Sequence, residues 1–186
     1  MSLKPSAKAY AEFADNDKWI GIPYEQWDCQ AFVEQMLKGV GCYYNWRGSN
    51  HMWREGVTRK GTLTEMKTMQ GGGLLPGTWV FTVKNDGGEA ERGYHDNEGN
   101  AAHVGIYLGE GRVIHSTTGG VQWDEITSSR WTHAGECCKL YYGPSIANSI
   151  GIDGSVAYLI ADELADCSYA LDSIINILRG GNNSEN

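Results

Sequence analysis

Several things are missing from this sequence, and each absence narrows what the chain can be. No stretch approaches the roughly 18 consecutive apolar residues of a membrane-spanning helix, so no membrane span is expected. The opening Met1-Ser2-Leu3-Lys4-Pro5 lacks the apolar core of a signal peptide. The expectation is a chain made as a soluble cytoplasmic protein, with any export by another route. Basic residues are scarce: 15 Lys and Arg against 23 Asp and Glu leave a net charge of −8. Nucleic-acid binding needs a basic footprint, and so does steering to an anionic membrane or polymer, so both are disfavoured. Cys-x-x-Cys spacing is absent, and the five cysteines (Cys29, Cys42, Cys137, Cys138 and Cys167) are odd in number. A disulfide framework is therefore disfavoured, and at least one thiol is free.

What is present is ordinary globular material. The 186 residues, 41% of them hydrophobic, are enough for one domain with its own core. Residues 6–18 read as a first helix that ends before Gly21-Ile22-Pro23-Tyr24. From Cys29 to Lys38 the apolar positions Phe32, Val33, Met36 and Leu37 have helical spacing, with Asp28 as N-cap and Gly39 and Gly41 as the stop. In 43–73, Ser49-Asn50 opens a short helix toward Val57. The aromatics Tyr43, Tyr44, Trp46 and Trp53 of this excursion suit core packing or the wall of a groove. Beyond Leu75 the texture turns to strands: Trp79 to Val83, His103 to Leu108, Arg112 to Thr117, one near Val121, and Cys138 to Tyr142. Helices first and strands afterwards, without βαβ alternation, predict an α+β fold with an antiparallel sheet. After a linker, Ile160, Leu164, Cys167, Leu171, Ile174 and Leu178 mark a heptad-like seam. The expected division is therefore a domain over 1–143 and, in 144–186, a linker and a C-terminal amphipathic helix (155–179) suited to docking or self-association.

One constellation carries chemistry. Cys29 falls in the first turn of a helix, where free N–H groups and partial positive charge favour a thiolate and an oxyanion. A base is supplied by a predicted hairpin. His103 shares one strand face with Gly105 and Tyr107, and Gly109-Glu110-Gly111 suits a three-residue loop. That loop pairs Leu108 with Arg112, Gly105 with His115 and His103 with Thr117, bringing His103 and His115 to one side as diagonal neighbours. A two-residue loop would shift the register by one and send them to opposite faces. With the favourable register, one histidine takes the Cys29 proton and the other fixes its tautomer. Gly105, opposite His115, leaves space beside the imidazole.

The order of these segments resembles the NlpC-type cell-wall cysteine peptidases, a papain-like family with the CHAP amidases as relatives. The resemblance rests on Asp28-Cys29-Gln30-Ala31-Phe32-Val33, on Leu75-Pro76-Gly77-Thr78-Trp79-Val80-Phe81, on His103-Val104-Gly105-Ile106-Tyr107-Leu108-Gly109, and on Val113-Ile114-His115. It covers about residues 20–142. It implies a papain-like domain whose N-terminal helices pack on an antiparallel sheet, and a peptidase for bacterial peptidoglycan. The implied bond is the γ-D-glutamyl to diamino-acid amide of the stem peptide. By position, Cys29 is the implied nucleophile, His103 the base and His115 the orienting residue. Asp28 matches the position associated with holding the stem-peptide amine, and Tyr24 resembles a tyrosine near the oxyanion site. Gln30-Ala31 stand where the family has Ser-Gly.

No cofactor and no metal is expected. His95, Asp96 and Glu91 lie in an acidic loop without ligand spacing, and His51 and His133 are isolated. Rival readings are a CHAP-like N-acetylmuramoyl-L-alanine amidase, an acyltransferase or deamidase on the same three residues, and a non-catalytic assembly module. As a wall hydrolase the chain would act after lysis or specialised secretion, as a bacteriophage endolysin or an antibacterial effector.

Overall fold

The structure, a computed structural model, describes residues 4–143. The expected linker and helix 155–179, with Cys167, lie outside the described residues. Five α-helices flank one sheet among the described residues: α1 (Ala7–Ala14), α2 (Cys29–Gly39), α3 (Ser49–Glu55), α4 (Leu63–Met69) and the short α5 (Gly88–Glu91). The strands are β1 (Val57–Thr62), β2 (Trp79–Lys84), β3 (Asn100–Gly109), β4 (Arg112–Thr117), β5 (Gly120–Glu125) and β6 (His133–Cys137). They form one antiparallel sheet in the order β1-β6-β2-β3-β4-β5.

The helices form where the sequence offers caps and an apolar stripe. Ser6 caps α1, and Asp28 caps α2 by accepting from the Ala31 N–H at 2.8 Å. Phe32, Val33, Met36 and Leu37 are fully buried on the sheet, at about 1.5–3 kcal/mol each from burial. A buried chain of polar groups fixes α1 and α2 to β2: the Tyr10 hydroxyl donates to the Val33 carbonyl at 3.2 Å and accepts from the Trp79 indole N–H at 3.2 Å. On the other face a smaller cluster gathers Met66, Leu74, Val80, Val113, Ile126, Trp131 and Ala134.

Three expectations need correction. The first helix stops at Ala14, and a separate 3₁₀ turn covers Asp17–Trp19. The segment 57–69 holds a strand and a helix that the sequence reading passed over. There Thr62 and Glu65 form a reciprocal capping box that opens α4. The last strand is His133–Cys137, not Cys138 to Tyr142. Gly135 lets β6 lie against β1, where a Cβ would stand 2.8 Å from the Val57 side chain. Leu140 N–H then turns back to the Cys137 carbonyl at 3.1 Å, ending the strand. Within 43–73 the aromatics divide: Trp46 and Trp53 are core, while Tyr43 is 70% exposed.

Candidate active site

Cys29 is the first residue of α2 and is 7% exposed, beneath the loop 21–28. That loop is tied to the far side of the sheet. Gly21 N–H donates to the Val121 carbonyl at 2.8 Å, Val121 N–H to that of Ile22 at 2.9 Å, and the Ser116 hydroxyl to that of Trp27 at 2.5 Å. Strands β4 and β5 therefore hold the approach to Cys29. The Val104 and Gln30 backbone and the Tyr24 hydroxyl are the polar groups that act on the thiol. Tyr24 and Cys29 thus influence each other directly, and Asp28 caps the helix beside them.

The expected thiolate stabilisation meets a larger opposing effect. Burial pushes the Cys29 thiol above its ordinary range. The hydrogen bonds from Val104, Tyr24 and Gln30 pull it back only in part, and the Asp28 carboxylate adds to the rise.

His103 and His115 are joined directly, Nε2 of the first lying 2.7 Å from Nδ1 of the second. His115 is fully buried. Trp131 covers both rings: it stacks on His103 at 5.6 Å and 27°, and meets His115 edge-on at 5.1 Å. Burial first, then His115 and the nearby Arg130 charge, hold His103 down to about 3. Burial and Arg130 hold His115 to about 4, against a small upward pull from Asp124. Both rings are neutral at physiological pH.

The hairpin delivers this pairing by a route other than the expected one. Ile106 pairs with Ile114 and Tyr107 with Val113, the predicted register. The turn itself has two residues, Glu110 and Gly111, with φ of 51° and 79°, and Gly109 pairs with Arg112. A bulge between Tyr107 and Gly109 takes up the odd residue, so the two-residue turn leaves the histidines on one face. A second bulge, between Thr82 and Val83 on the β2 side, leaves Ala102 unpaired immediately before His103. The space beside His115 is not open: a Cβ on Gly105 would lie 2.9 Å from Trp131 Cη2 and 3.1 Å from His115 Cβ.

The five candidate residues therefore fall into two groups, Cys29 with Tyr24 and Asp28, and His103 with His115. The link between them runs through Val104, which acts on the Cys29 thiol and is the chain neighbour of His103. Sequence reasoning missed Trp131 and the Val104 backbone; a residue in the loop before β6 has no local signal for a ring stacked on β3. Elsewhere, Asp96 is engaged by Arg54 through both carboxylate oxygens, at 2.6 and 2.7 Å. His51 Nδ1 accepts from Arg47 N–H, and His133 packs edge-on against Trp53.

A family model described as the NlpC/P60 family matches residues 17–137. The chain belongs to the NlpC/P60 family. Membership places its domain among the cysteine-peptidase hydrolases, and the neighbouring solved structures agree with its fold. A curated relative, "Probable endopeptidase p60" of Listeria seeligeri, is 31% identical over 106 residues, covering 53% of this chain and 20% of that protein. The chain thus spans a fifth of that relative's length. A NlpC/P60 family protein from Bacillus cereus superposes with a TM-score of 0.51 at 20% identity, over 73% of this chain and 41% of that one. The P60 domain of an antigen from M. avium subspecies paratuberculosis gives 0.50 at 16%, over 73% and 98%, and NlpC2 from Trichomonas vaginalis gives 0.51 at 15%, over 74% and 49%.

Proposed function

We propose that this NlpC/P60 domain is a peptidoglycan hydrolase, a cysteine endopeptidase that cuts the γ-D-glutamyl to diamino-acid bond of stem peptides. The observation that carries the reading is the 2.7 Å bond between His103 Nε2 and His115 Nδ1, one residue along β3 from Val104, which acts on the Cys29 thiol. In this reading His103 Nδ1 takes the Cys29 proton as the sulfur attacks the scissile carbonyl. A neutral thiol and a neutral imidazole suit general-base transfer during attack better than a standing ion pair. His115 accepts from His103 Nε2–H and steadies the imidazolium that forms. In the same reading the Tyr24 hydroxyl and the N–H groups at the start of α2 stabilise the oxyanion as it develops. The protonated His103 then releases the amine, and water hydrolyses the acyl-enzyme by the reverse proton path. In this reading Asp28, exposed at the helix start, holds the stem-peptide amine.

The test is mass spectrometry of soluble fragments from purified peptidoglycan digested with wild type and with Cys29→Ala. Stem-peptide fragments with new γ-D-glutamyl carboxyl termini, released by wild type alone, support the reading. Release of intact stem peptides from the glycan would replace it with the amidase reading. Fragments from neither protein, on walls of several chemotypes, would sink it.

A further inference from the structure

The histidine pair leaves one atom unaccounted for. For His103 to accept a proton at Nδ1, its Nε2 must carry hydrogen and donate to His115 Nδ1. His115 then bears its own hydrogen on Nε2. That nitrogen is buried and has no hydrogen-bond partner. An unsatisfied buried donor costs about 1–3 kcal/mol, so a native site that keeps one calls for a reason.

The nearest acid supplies that reason. In the β4–β5 hairpin His115 pairs with Gln122 and Val113 with Asp124, so Asp124 is the diagonal neighbour of His115 on the same face. Its Oδ2 lies 3.9 Å from His115 Nε2, beyond hydrogen-bond length but within reach of a small side-chain rotation. The same oxygen is 3.5 Å from Arg130 Nε, and Oδ1 accepts from the Glu125 N–H at 2.9 Å. The carboxylate is thus shared between a surface guanidinium and the buried imidazole.

We propose that Asp124 is a positioning residue: it holds His115 in the Nε2–H tautomer and supports positive charge on the histidine pair, with Arg130 opposing it. The inference rests on the peptidase reading for its consequence in catalysis; the tautomer has a second ground, since the Asp124 carboxylate 3.9 Å from His115 Nε2 favours a hydrogen on that nitrogen whatever the reaction. The charged groups acting on the pair, from β5 and the loop before β6, are Asp124 and Arg130; Tyr24 and Asp28 act on Cys29. A carboxylate closing on Nε2–H as His103 becomes cationic adds stabilisation when charge appears and little before. This is how a residue that does not touch substrate raises kcat without altering KM.

Two measurements on the full chain test this. Long-range ¹H–¹⁵N correlation of the imidazoles, assigned with His115→Gln, is expected to show His115 as Nε2–H in wild type and as a mixture with Nδ1–H in Asp124→Ala. With peptidoglycan fragments, Asp124→Ala is expected to lose roughly tenfold in kcat at near-constant KM. The acidic limb of its kcat/KM profile should move to lower pH by roughly 0.5–1 unit, because the imidazolium has lost its counter-charge. Asp124→Asn, which keeps an acceptor but no charge, should restore the tautomer and leave the limb displaced. His115 as Nδ1–H in wild type, or an unchanged tautomer in Asp124→Ala, overturns the proposal even if the variant is less active. Wild type that cuts no peptidoglycan would sink the peptidase reading instead, and the tautomer measurement would still decide the role of Asp124.

Discussion

Replacing Gly105 by alanine adds one methyl group at the most crowded point of the histidine face. Gly105 has no positive φ, so the backbone conformation suits any residue and only space is at issue. The new Cβ would meet Trp131 Cη2 at 2.9 Å, Val113 Cγ1 at 3.0 Å and His115 Cβ at 3.1 Å. Two of these atoms stand on or next to the β4 backbone, and the third ends an indole that is only 4% exposed. None is the free end of a flexible chain, so relief requires a shift of β4 or of Trp131. Overpacking of this kind costs about 1–3 kcal/mol. At about 2 kcal/mol, Tm should fall by roughly 4–8 °C for a chain of this size. The same shift pulls on the 2.7 Å bond between the histidines, so their imidazole resonances should move as well.

Gly111→Ala is the control. A Cβ there meets nothing within 4 Å, but φ of +79° strains any L side chain, by about 1–2 kcal/mol. Thermal unfolding followed by circular dichroism should show a loss for both variants. Imidazole ¹H–¹⁵N spectra should change for Gly105→Ala and stay fixed for Gly111→Ala. A Gly105→Ala protein with Tm within about 1 °C of wild type and unmoved histidine signals would refute the argument. It would mean that the contact between Trp131 and the two strands yields at almost no cost.

Three further outcomes are expected. Tyr142→Phe removes a buried hydroxyl that donates to the Gly77 carbonyl at 2.8 Å and accepts from Cys137 N–H at 3.0 Å, so urea unfolding should show a loss of about 2 kcal/mol or more; a loss below about 0.5 kcal/mol would contradict this. Acid should destabilise the domain, because His103 near 3 and His115 near 4 stay neutral in the folded state while unfolded histidine protonates near 6.5. The unfolded state then binds more protons, so stability is complete above about pH 6.5 and falls below it by on the order of 1.4 kcal/mol per pH unit per histidine. Urea midpoints at pH 7 and 5.5 check the sign, and a His115→Gln protein should show a shallower slope. Finally, Cys138 is held low, to about 6, by the Cys137 thiol and by Lys139 and Lys4, whereas burial raises Cys29. Peptide mapping after brief iodoacetamide treatment near neutral pH should find Cys138 labelled before Cys29 in the absence of substrate, and the opposite order would contradict these environments.

Much of the site was legible because its signals are local. Asp28 before an apolar stripe of helical spacing fixes where α2 begins, and so puts Cys29 at its start. Alternation from His103 to Tyr107, with Tyr107 paired to Val113 as the sequence predicts, puts His103 and His115 on one face. The unread features come from elsewhere in the chain. Trp131 reaches the histidines only because β6 pairs with β2, a contact across some fifty residues that no window contains. The thiol environment was misjudged for the same reason: the helix N-terminus is local, whereas the burial that raises Cys29 is made by loop 21–28 and by strands far along the sequence. Two signals were present and unused. Thr62 and Glu65 spell a capping box. Thr117-Thr118-Gly119-Gly120 gives a tight turn that pairs Thr117 with Gly120, and counting back along it puts Asp124 diagonal to His115.

The hairpin between the histidines shows why register is a property of the whole ladder and not of the turn alone. Side chains alternate with period two, so one residue gained or lost in the turn should reverse every later side chain on β4. Here the turn is one residue shorter than the three-residue loop that would keep the histidines together. The bulge at Leu108 supplies the missing residue before Tyr107 pairs with Val113. Two local departures cancel, and the sum of paired positions is the same at Ile106 with Ile114 as at Tyr107 with Val113. Positive φ at Gly109, Glu110 and Gly111 is what this compact combination requires, and two of the three are glycine. The non-glycine member, Glu110, adopts φ of 51°, a conformation that costs an L residue about 1–2 kcal/mol. That cost falls on an exposed turn, while its benefit, two imidazoles 2.7 Å apart, falls on the face covered by Trp131.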